Sequence, residues 1–511
     1  MTCSYSSVVQ AKDKSFVPVF NNGQSMFSRY SPQKDAEIFA NNPKDDQNQF
    51  FLVCGIGNGI HIIALRKRFP NSTIMAVEAD YENVCFLEKH FRITELAKKY
   101  SFTICTPEEI HKEIIQSYIP VLHGDFSLLP QRAWADNHKE YMGNIINVVK
   151  KTVEVLSADL ATQAHFGKIW HRNILQNLFL ASIISKKESV KPCPDQQAFV
   201  AAAGPSLDYS IPLLKDKKFR ADKYIIATDT ALPSLLKNKI IPEIVVSIDG
   251  QVASRLHFLE GLTGQTAVVV DATALPAVTR KAVKSGCPVY LVRDKHPLTT
   301  LAAKFFYEKK GLVLPLLSSG SGTVTIKAFD LALNMGFTTV HLAGADFAYI
   351  EGKPYAKGTY FDDSFSMDST RLKPTEHDYV SLFYRHPFEP NTEGNLSTKN
   401  LNSYRISFEN FLQENSATET KNSFPFRTYS VKNQKHSRVA HFAISQNDFS
   451  SFMEWYIELL KTANPEVFPS VLPLGAWNVK KNNQETDIFS LLKLAYSQTV
   501  MYNKPLWKIK V

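Results

Sequence analysis

No two cysteines in this chain are spaced as CxxC. The six present (Cys3, Cys54, Cys85, Cys105, Cys193 and Cys287) are scattered over 511 residues. That argues against a zinc site and against a disulfide framework, and it fits a reducing cytosol. Cys54, Cys105 and Cys287 fall in or beside apolar runs, where cysteine acts as a small buried hydrophobe. No apolar run approaches the ~20 residues that span a bilayer. The first residues show no basic stretch followed by an apolar one, so no secretory leader is expected and a cytoplasmic location is. Blocks of lysine and arginine are short, and the net charge of +9 is spread thinly over the length. With no RNA-recognition or helix-turn-helix signature, nucleic acid is not an expected partner, whereas anionic small molecules such as nucleotides are. A Walker GK[ST] step is missing, and so is any internal repeat.

What is present is alternation. Residues 1–48 form a polar lead-in anchored by Phe16, Phe20, Phe27 and Tyr30. From Gln49 to Asp80, "QFFLVCGIGNGIHIIALRKRFPNSTIMAVEAD" has the pattern of a strand, a glycine turn, an amphipathic helix and a second strand, a βαβ unit. From about 138 to 190 the period becomes helical, and "ESVKPCPDQQ" then suits a linker. A second alternating region starts at Ala198. Strands are expected at Phe199–Ala203, Tyr224–Thr228, Ile244–Ile248, Ala267–Asp271, Val289–Val292 and Thr339–Ala343, and a helix at Thr323–Met335. Residues 350–400 have the composition of a long functional loop region, and helical segments are expected to close the chain. The expected architecture is α/β, with two Rossmann-like domains of mostly parallel sheet, a helical linker and a helical C-terminal region. The expected domains are 1–137, 138–195, 196–400 and 401–511.

Two glycine turns carry the candidate chemistry. In the first, Gly55-Ile56-Gly57-Asn58-Gly59 is followed by Glu78 at the end of the next strand. This resembles the nucleotide turn of S-adenosylmethionine-dependent methyltransferases, in which an acidic residue meets the ribose. With no catalytic dyad or NPPY-like motif downstream, a purely structural turn is the favoured reading. In the second, the strand ending at Ala203 runs into Gly204-Pro205-Ser206, where glycine frees the backbone, proline stiffens it and Ser206 is expected to cap the next helix. Further strand ends carry Asp229 and Thr230, then Asp249, then Asp346, and the Ser/Gly turn Ser318-Ser319-Gly320-Ser321 precedes a helix. Small and acidic clusters at the carboxyl ends of parallel strands converge on one crevice, where open α/β sheets bind ligands.

These residues resemble the motility-associated factor (Maf) family, bacterial proteins linked to flagellin glycosylation. The resemblance lies in "AAAGPSLD", "ATDTALPSLLKNKIIPEIVVSIDGQ" and "SSGSGTVTIKAFDLALNMGFTTVHLAGADFAY", with weaker support from "SRYSPQKDAEIFANN", "FLVCGIGNGIHI" and "KIWHRNILQNLFL". It extends from about residue 29 to at least residue 350. It implies a central domain akin to the bacterial sialyltransferases that use CMP-activated sugars, whose "GPSL", "TSG" and "GIDFY" motifs match Gly204–Leu207, Ser318–Gly320 and Gly344–Phe347, with Tyr349 displaced by one position. In those enzymes a histidine after the last motif is the general base. Here "GNLSTKNLNSYRISFENFL" has none, and the nearest histidines are His377 and His386, both upstream.

What the resemblance implies is transfer of a nonulosonic (sialic-acid-like) sugar from CMP to Ser or Thr of flagellin or another protein, with no metal or other cofactor. Asp346 is the first candidate catalytic residue, His377 the candidate base, and Tyr355 and Tyr360 candidate donors to the leaving phosphate. Ala203, Gly204, Pro205, Ser206, Asp229, Thr230, Asp249, Ser318, Ser319, Gly320, Ser321, Phe347 and Tyr349 are the candidate binding residues. The same motifs resemble archaeal hydroxymethylpterin pyrophosphokinases, which are shorter. Under that alternative Asp229, Asp249 and Asp346 would hold Mg²⁺ on a diphosphate donor. A non-catalytic nucleotide-binding scaffold is the third reading.

Overall fold

The structure is a computed structural model that describes residues 3–43, 50–184, 196–320, 322–384, 387–391, 394–423, 425–431, 442–482 and 487–506. Two compact units emerge: Met1–Gly167 with Leu472–Leu491, and Lys168–Val471 with Leu492–Val511. The five described cysteines are free, and Cys54, Cys105 and Cys287 are buried.

In the first unit, strands β1 (Tyr5–Gln10) and β2 (Phe16–Phe20) form an antiparallel hairpin. Strands β3 (Phe50–Cys54), β4 (Thr73–Val77), β5 (Phe102–Cys105) and β6 (Phe126–Pro130) form a parallel sheet in the order β5-β4-β3-β6. Every residue of β3 is buried, as a central parallel strand covered on both faces requires.

The glycine turn after β3 is filled by the unit's own side chains. Gly55 and Gly57 both have positive φ. A Cβ on Gly55 would lie 2.5 Å from the Trp134 ring, and one on Gly57 2.5 Å from the Met26 sulfur. Glu78 is fully buried. Its carboxylate accepts backbone N–H groups from Ile56 and Ala79, both at 3.1 Å. It also accepts the Asn83 amide at 3.2 Å, the Trp134 indole N–H at 2.6 Å and the Tyr5 hydroxyl at 3.3 Å. Burial and the Glu78 charge hold the Tyr5 hydroxyl well above its ordinary pKa, so it stays a donor. The acidic group that would meet a ribose is already satisfied within the protein, which supports the structural reading of this turn.

In the second unit the sheet follows the expected alternation. Strands β7 (Gln197–Ala201), β8 (Lys223–Thr228), β9 (Ile244–Ser247), β10 (Ala267–Asp271), β11 (Val289–Val292) and β12 (Thr339–Ala343) are parallel. Alternate residues feed opposite faces. Ala198, Val200, Tyr224 and Ile226 pack with Ile326 and Phe329 of the helix Val324–Asn334. Phe199, Ala201, Ile225 and Ala227 pack instead with Leu207, Ile211 and Leu214 of the helix Leu207–Lys215.

Beyond β12 the structure adds what the sequence reading did not place. After a short hairpin of β13 (Phe388–Pro390) and β14 (Leu396–Thr398), β16 (Phe426–Val431) pairs antiparallel with β12, and β15 (Ala417–Ser423) antiparallel with β16. The order is β11-β10-β9-β8-β7-β12-β16-β15. From β7 the chain steps outward to β11, then crosses back to lay β12 on the other side of β7. The order therefore reverses between β7 and β12, and that is where a crevice opens in such sheets. The Lys139–Ala181 helix occupies most of the expected helical run, and residues 185–195 of the expected linker lie outside the described residues.

Gly57→Ala is expected to lower stability by about 1 kcal/mol or more, because alanine is strained at positive φ and its methyl would meet Met26. The melting temperature should fall, while specific activity of the folded fraction stays unchanged. Loss of tight S-adenosylmethionine binding in this variant would contradict the structural role.

Candidate functional site

The turns after β7 and β12 are bonded to each other. Ala202 N–H donates to Ala343 O at 2.8 Å, and Gly204 N–H to Gly344 O at 2.7 Å. This approach leaves no room for side chains. A Cβ on Gly344, whose φ is +69°, would sit 2.1 Å from Ala202 O, and one on Gly204 would sit 2.4 Å from Asp346 Oδ2. Across the same gap Ser206 N–H donates to Asp346 Oδ2 at 2.9 Å, and Gly344 N–H donates to Ser206 Oγ at 3.1 Å.

Two expectations change here. Ser206 does not cap the Leu207–Lys215 helix with its side chain. Its hydroxyl accepts from Gly344 N–H instead. The helix N-terminus after Pro205 also already holds an anion, the Asp346 carboxylate. Leu207 and Asp208 N–H groups are used within the turn by Gly204 O and Pro205 O.

Beside Asp346 lies a cavity of about 440 Å³, the size of a small-ligand pocket. Ser206, Gly344, Asp346 and Phe347 line it from the switch point, and Leu342, Phe426, Arg427 and Tyr429 from β12 and β16. Arg405, Phe408 and Glu409 line it from the Lys399–Glu414 helix, and Asn391 and Asn395 from the loop joining β13 and β14. Arg405 is held by Glu409 at 2.6 Å, while its buried Nε has no hydrogen-bond partner among the described residues. Phe347 takes a left-handed φ of +48°. Its carbonyl accepts the Ser397 hydroxyl at 2.9 Å, which holds its ring 5.9 Å from Phe408. Arg405, Arg427, Asn391 and Asn395 had no signal in the sequence, since they come from three separate stretches of polar chain.

The other candidates have settled places. Ala203 O accepts the N–H of Ala356 at 2.9 Å. Asp229 is buried and accepts Ser247 Oγ at 2.7 Å and Thr230 N–H at 2.8 Å. Burial raises its pKa, and the His257 imidazole opposes that rise. Asp249 closes a turn by accepting Gln251 N–H at 2.9 Å. Ser318 N–H donates to Asp330, and the Gly320 turn lies against the Lys399–Glu414 helix, where a Cβ on Gly320 would be 3.5 Å from Ser407 Cβ. Ser319 O accepts from Gly322 and Thr323, while Ser321 and His386 lie outside the described residues.

Tyr349 N–H pairs with Leu396 O at 2.8 Å. Tyr355 stacks on Phe361 at 4.9 Å, and its hydroxyl is raised mainly by burial. Tyr360 lines a second cavity of about 240 Å³ with Leu256, Leu259 and Met367. His377 is exposed on the helix Thr375–Phe383 and lines neither cavity. Ser206, Asp346 and Phe347 are therefore brought together. Asp229, Asp249, the tyrosines and His377 are not part of that cavity.

A second polar cluster sits under the ends of β10 and β11. Lys327, from the Val324–Asn334 helix, is paired with Asp271, and both side chains are almost fully buried. Asp271 also accepts Thr273 N–H at 2.8 Å. Burial, reinforced by the Asp271 charge, pushes Asp294 up to about 6, against the pull of Lys327.

Comparison with known proteins agrees with this arrangement. A family model described as "6-hydroxymethylpterin diphosphokinase MptE-like" matches residues 172–352, which hold the switch point and the six parallel strands of the second unit. An uncharacterised protein of Treponema pallidum (strain Nichols) is 26% identical over 251 residues, 48% of this chain and 80% of that protein. Another from the same organism is 32% identical over 145 residues, 28% of this chain and 67% of that protein, and this chain belongs to the same family as that protein. A solved structure of a Maf glycosyltransferase from Magnetospirillum magneticum AMB-1 matches with a TM-score of 0.54 at 14% identity, over 99% of this chain and 87% of that one. The chain thus has the Maf fold with an MptE-like centre, as its motifs implied.

Asp294 binds a proton in the folded protein before it does in the unfolded chain, whose carboxyl titrates near about 4. Its contribution to stability therefore rises as pH falls from roughly 7 through 6 towards 4, and is lost as pH rises again. Urea unfolding across that range should show this slope in the wild type and lose it in Asp294→Asn. Parallel curves for the two proteins would refute it.

Proposed function

We propose that the chain is a glycosyltransferase that moves a nonulosonic acid from a CMP-activated donor to a Ser or Thr hydroxyl of flagellin or another protein. The observation that carries this reading is the placement of Asp346, at the reversal of the sheet and at the mouth of a cavity lined by arginines, asparagines and aromatic rings. In the reaction the bond between the sugar's anomeric carbon and the CMP phosphate oxygen breaks, and CMP leaves with the electron pair. The acceptor oxygen bonds to the same carbon and gives up its proton. In this reading Asp346 orients the acceptor hydroxyl and takes that proton, and Ser206 N–H holds its carboxylate. Arg405 and Arg427 supply positive charge beside the leaving phosphate or the sugar's carboxylate. Tyr355 and Tyr360 are assigned supporting roles outside the cavity, in shaping the loop after Asp346. The whole fold's likeness to a glycosyltransferase supports the class, and a cytoplasmic setting accords with there being, among the described residues, no helix long and apolar enough to cross a membrane.

The MptE-like match favours one other reading, a Mg²⁺-dependent diphosphotransferase. It is the weaker one. Among the described residues no three His, Cys, Asp or Glu side chains gather as a metal cluster, and Asp229 already has hydroxyl and amide partners.

Calorimetry with CMP should show saturable binding that EDTA leaves unchanged. Binding of ATP only with Mg²⁺, and none of CMP, would transfer the assignment to the diphosphotransferase. Binding of neither would favour the scaffold.

Asp346→Asn keeps the shape, and its amide oxygen still accepts from Ser206, so the melting temperature should stay near wild type while acceptor modification is lost. Full modification by this variant would remove Asp346 from the mechanism. His377→Ala should retain nearly full activity, whereas a true general base would lose about 100-fold or more.

A further inference from the structure

The stretch "KIWHRNILQN" in the helix Lys139–Ala181 has no part in the transferase reading, yet two of its side chains bond the turns after β9 and β10. Asn173 and Asn177, one helical turn apart, are fully buried. The Asn173 amide donates to Gly250 O at 3.1 Å and Thr273 O at 3.0 Å. The Asn177 amide donates to Ala272 O at 3.0 Å and Ala274 O at 2.8 Å. Thr279, on the helix Pro276–Lys284, returns a bond from its hydroxyl to Asn177 Oδ1 at 2.9 Å. The two helices and the two turns are thereby fixed to one another.

Two arginines stand next to this frame, each adjacent in sequence to one of its members. Arg172 Nε and Nη2 donate to Asn173 Oδ1 at 3.1 and 2.9 Å, which fixes its guanidinium against the frame. Arg280, next to Thr279, makes no hydrogen bond or ion pair with any described residue. Both are half-buried. Burial lowers the Arg280 pKa, and the Arg172 charge adds to that effect. Two partly desolvated like charges beside one rigid frame are unfavourable in themselves. A guanidinium fork is also the side chain best matched to the oxygens of a phosphoryl group.

We propose that Arg172 and Arg280 form a binding site for a phosphoryl oxyanion, distinct from the cavity beside Asp346, at the sheet end marked by Gly250 and Thr273. The ligand is a small molecule with a phosphoryl group, either free phosphate or the phosphate of a nucleotide. Arg280 offers its whole fork, and Arg172 the N–H groups that Asn173 leaves unused. The fixed frame means that little ordering accompanies binding.

The test is thermal unfolding of the full chain with inorganic phosphate, against sodium chloride of matched ionic strength. Phosphate should raise the wild-type melting temperature saturably and chloride should not. Arg172→Met and Arg280→Met should each abolish the response, while Asp346→Asn keeps it. Without phosphate, Arg280→Met should melt above wild type, because the repulsion is gone and the apolar stem remains. Arg280→Lys, which keeps charge but not the fork, should respond weakly, and it serves if the methionine variant does not fold. A CMP arm identifies the source of the phosphoryl group. A CMP shift lost in Arg280→Met but kept in Asp346→Asn assigns the site to a nucleotide phosphate, and a CMP shift unaffected by Arg280→Met assigns it to a free anion. Equal phosphate responses in wild type and Arg280→Met would overturn the proposal. So would no wild-type response together with a lowered melting temperature in Arg280→Met. Neither result bears on CMP binding beside Asp346, so the transferase reading stands or falls separately.

Discussion

The bond from Ser206 N–H to the Asp346 carboxylate joins the two strand ends between which the sheet reverses its order. Several features of this region follow from it. Gly204 and Gly344 are required because the carboxylate and two carbonyls occupy the space their side chains would need. The Ser206 hydroxyl turns back to Gly344 rather than along its own helix. The chain beyond Asp346 then leaves through Phe347 in a left-handed conformation, which brings its ring towards Phe408 and sets one wall of the cavity. A buried or half-buried carboxylate needs a donor, and here the helix N-terminus supplies one.

The parallel strands were legible because burial on both faces leaves near-continuous apolar runs, as in "AFVA" and "YIIAT". The expected strand ends at Asp229, Asp249 and Asp346 follow from the same runs. The role of each acidic residue did not. Asp229 is answered by the Ser247 hydroxyl of the neighbouring strand and Asp249 by an N–H two residues on, and only the folded structure distinguishes such partners from ligand contacts. Strands β15 and β16 went unplaced because "ATETKNS" and "FRTYSV" lack the apolar run of a buried strand, being paired at the margin of the sheet. The cavity wall was hidden for a related reason. Arg405 and Arg427 are ordinary surface residues by sequence and become neighbours only when that margin folds against the helix Lys399–Glu414.

The buried pair of Lys327 and Asp271 shows a different use of charge. Taking both groups out of water costs several kcal/mol, and their attraction offsets this only with good geometry and further hydrogen bonds. Asp271 has those bonds from Thr273, and the pKa of Asp294 is raised by burial and by the Asp271 charge. The pair joins the end of β10 to the helix Val324–Asn334.

The antiparallel addition has a consequence for the molecule's behaviour in a crowded solution. A sheet that ended at β12 would offer a fully buried-type strand as a template on which other chains could grow. Instead the outermost strand is β15, whose sequence is polar and whose pairing with β16 is interrupted by a register shift between Glu419 and Lys421. A bulged, charged edge is a poor surface for strand addition. The two added strands, which contribute to the cavity wall, therefore also protect this edge of the sheet from strand addition.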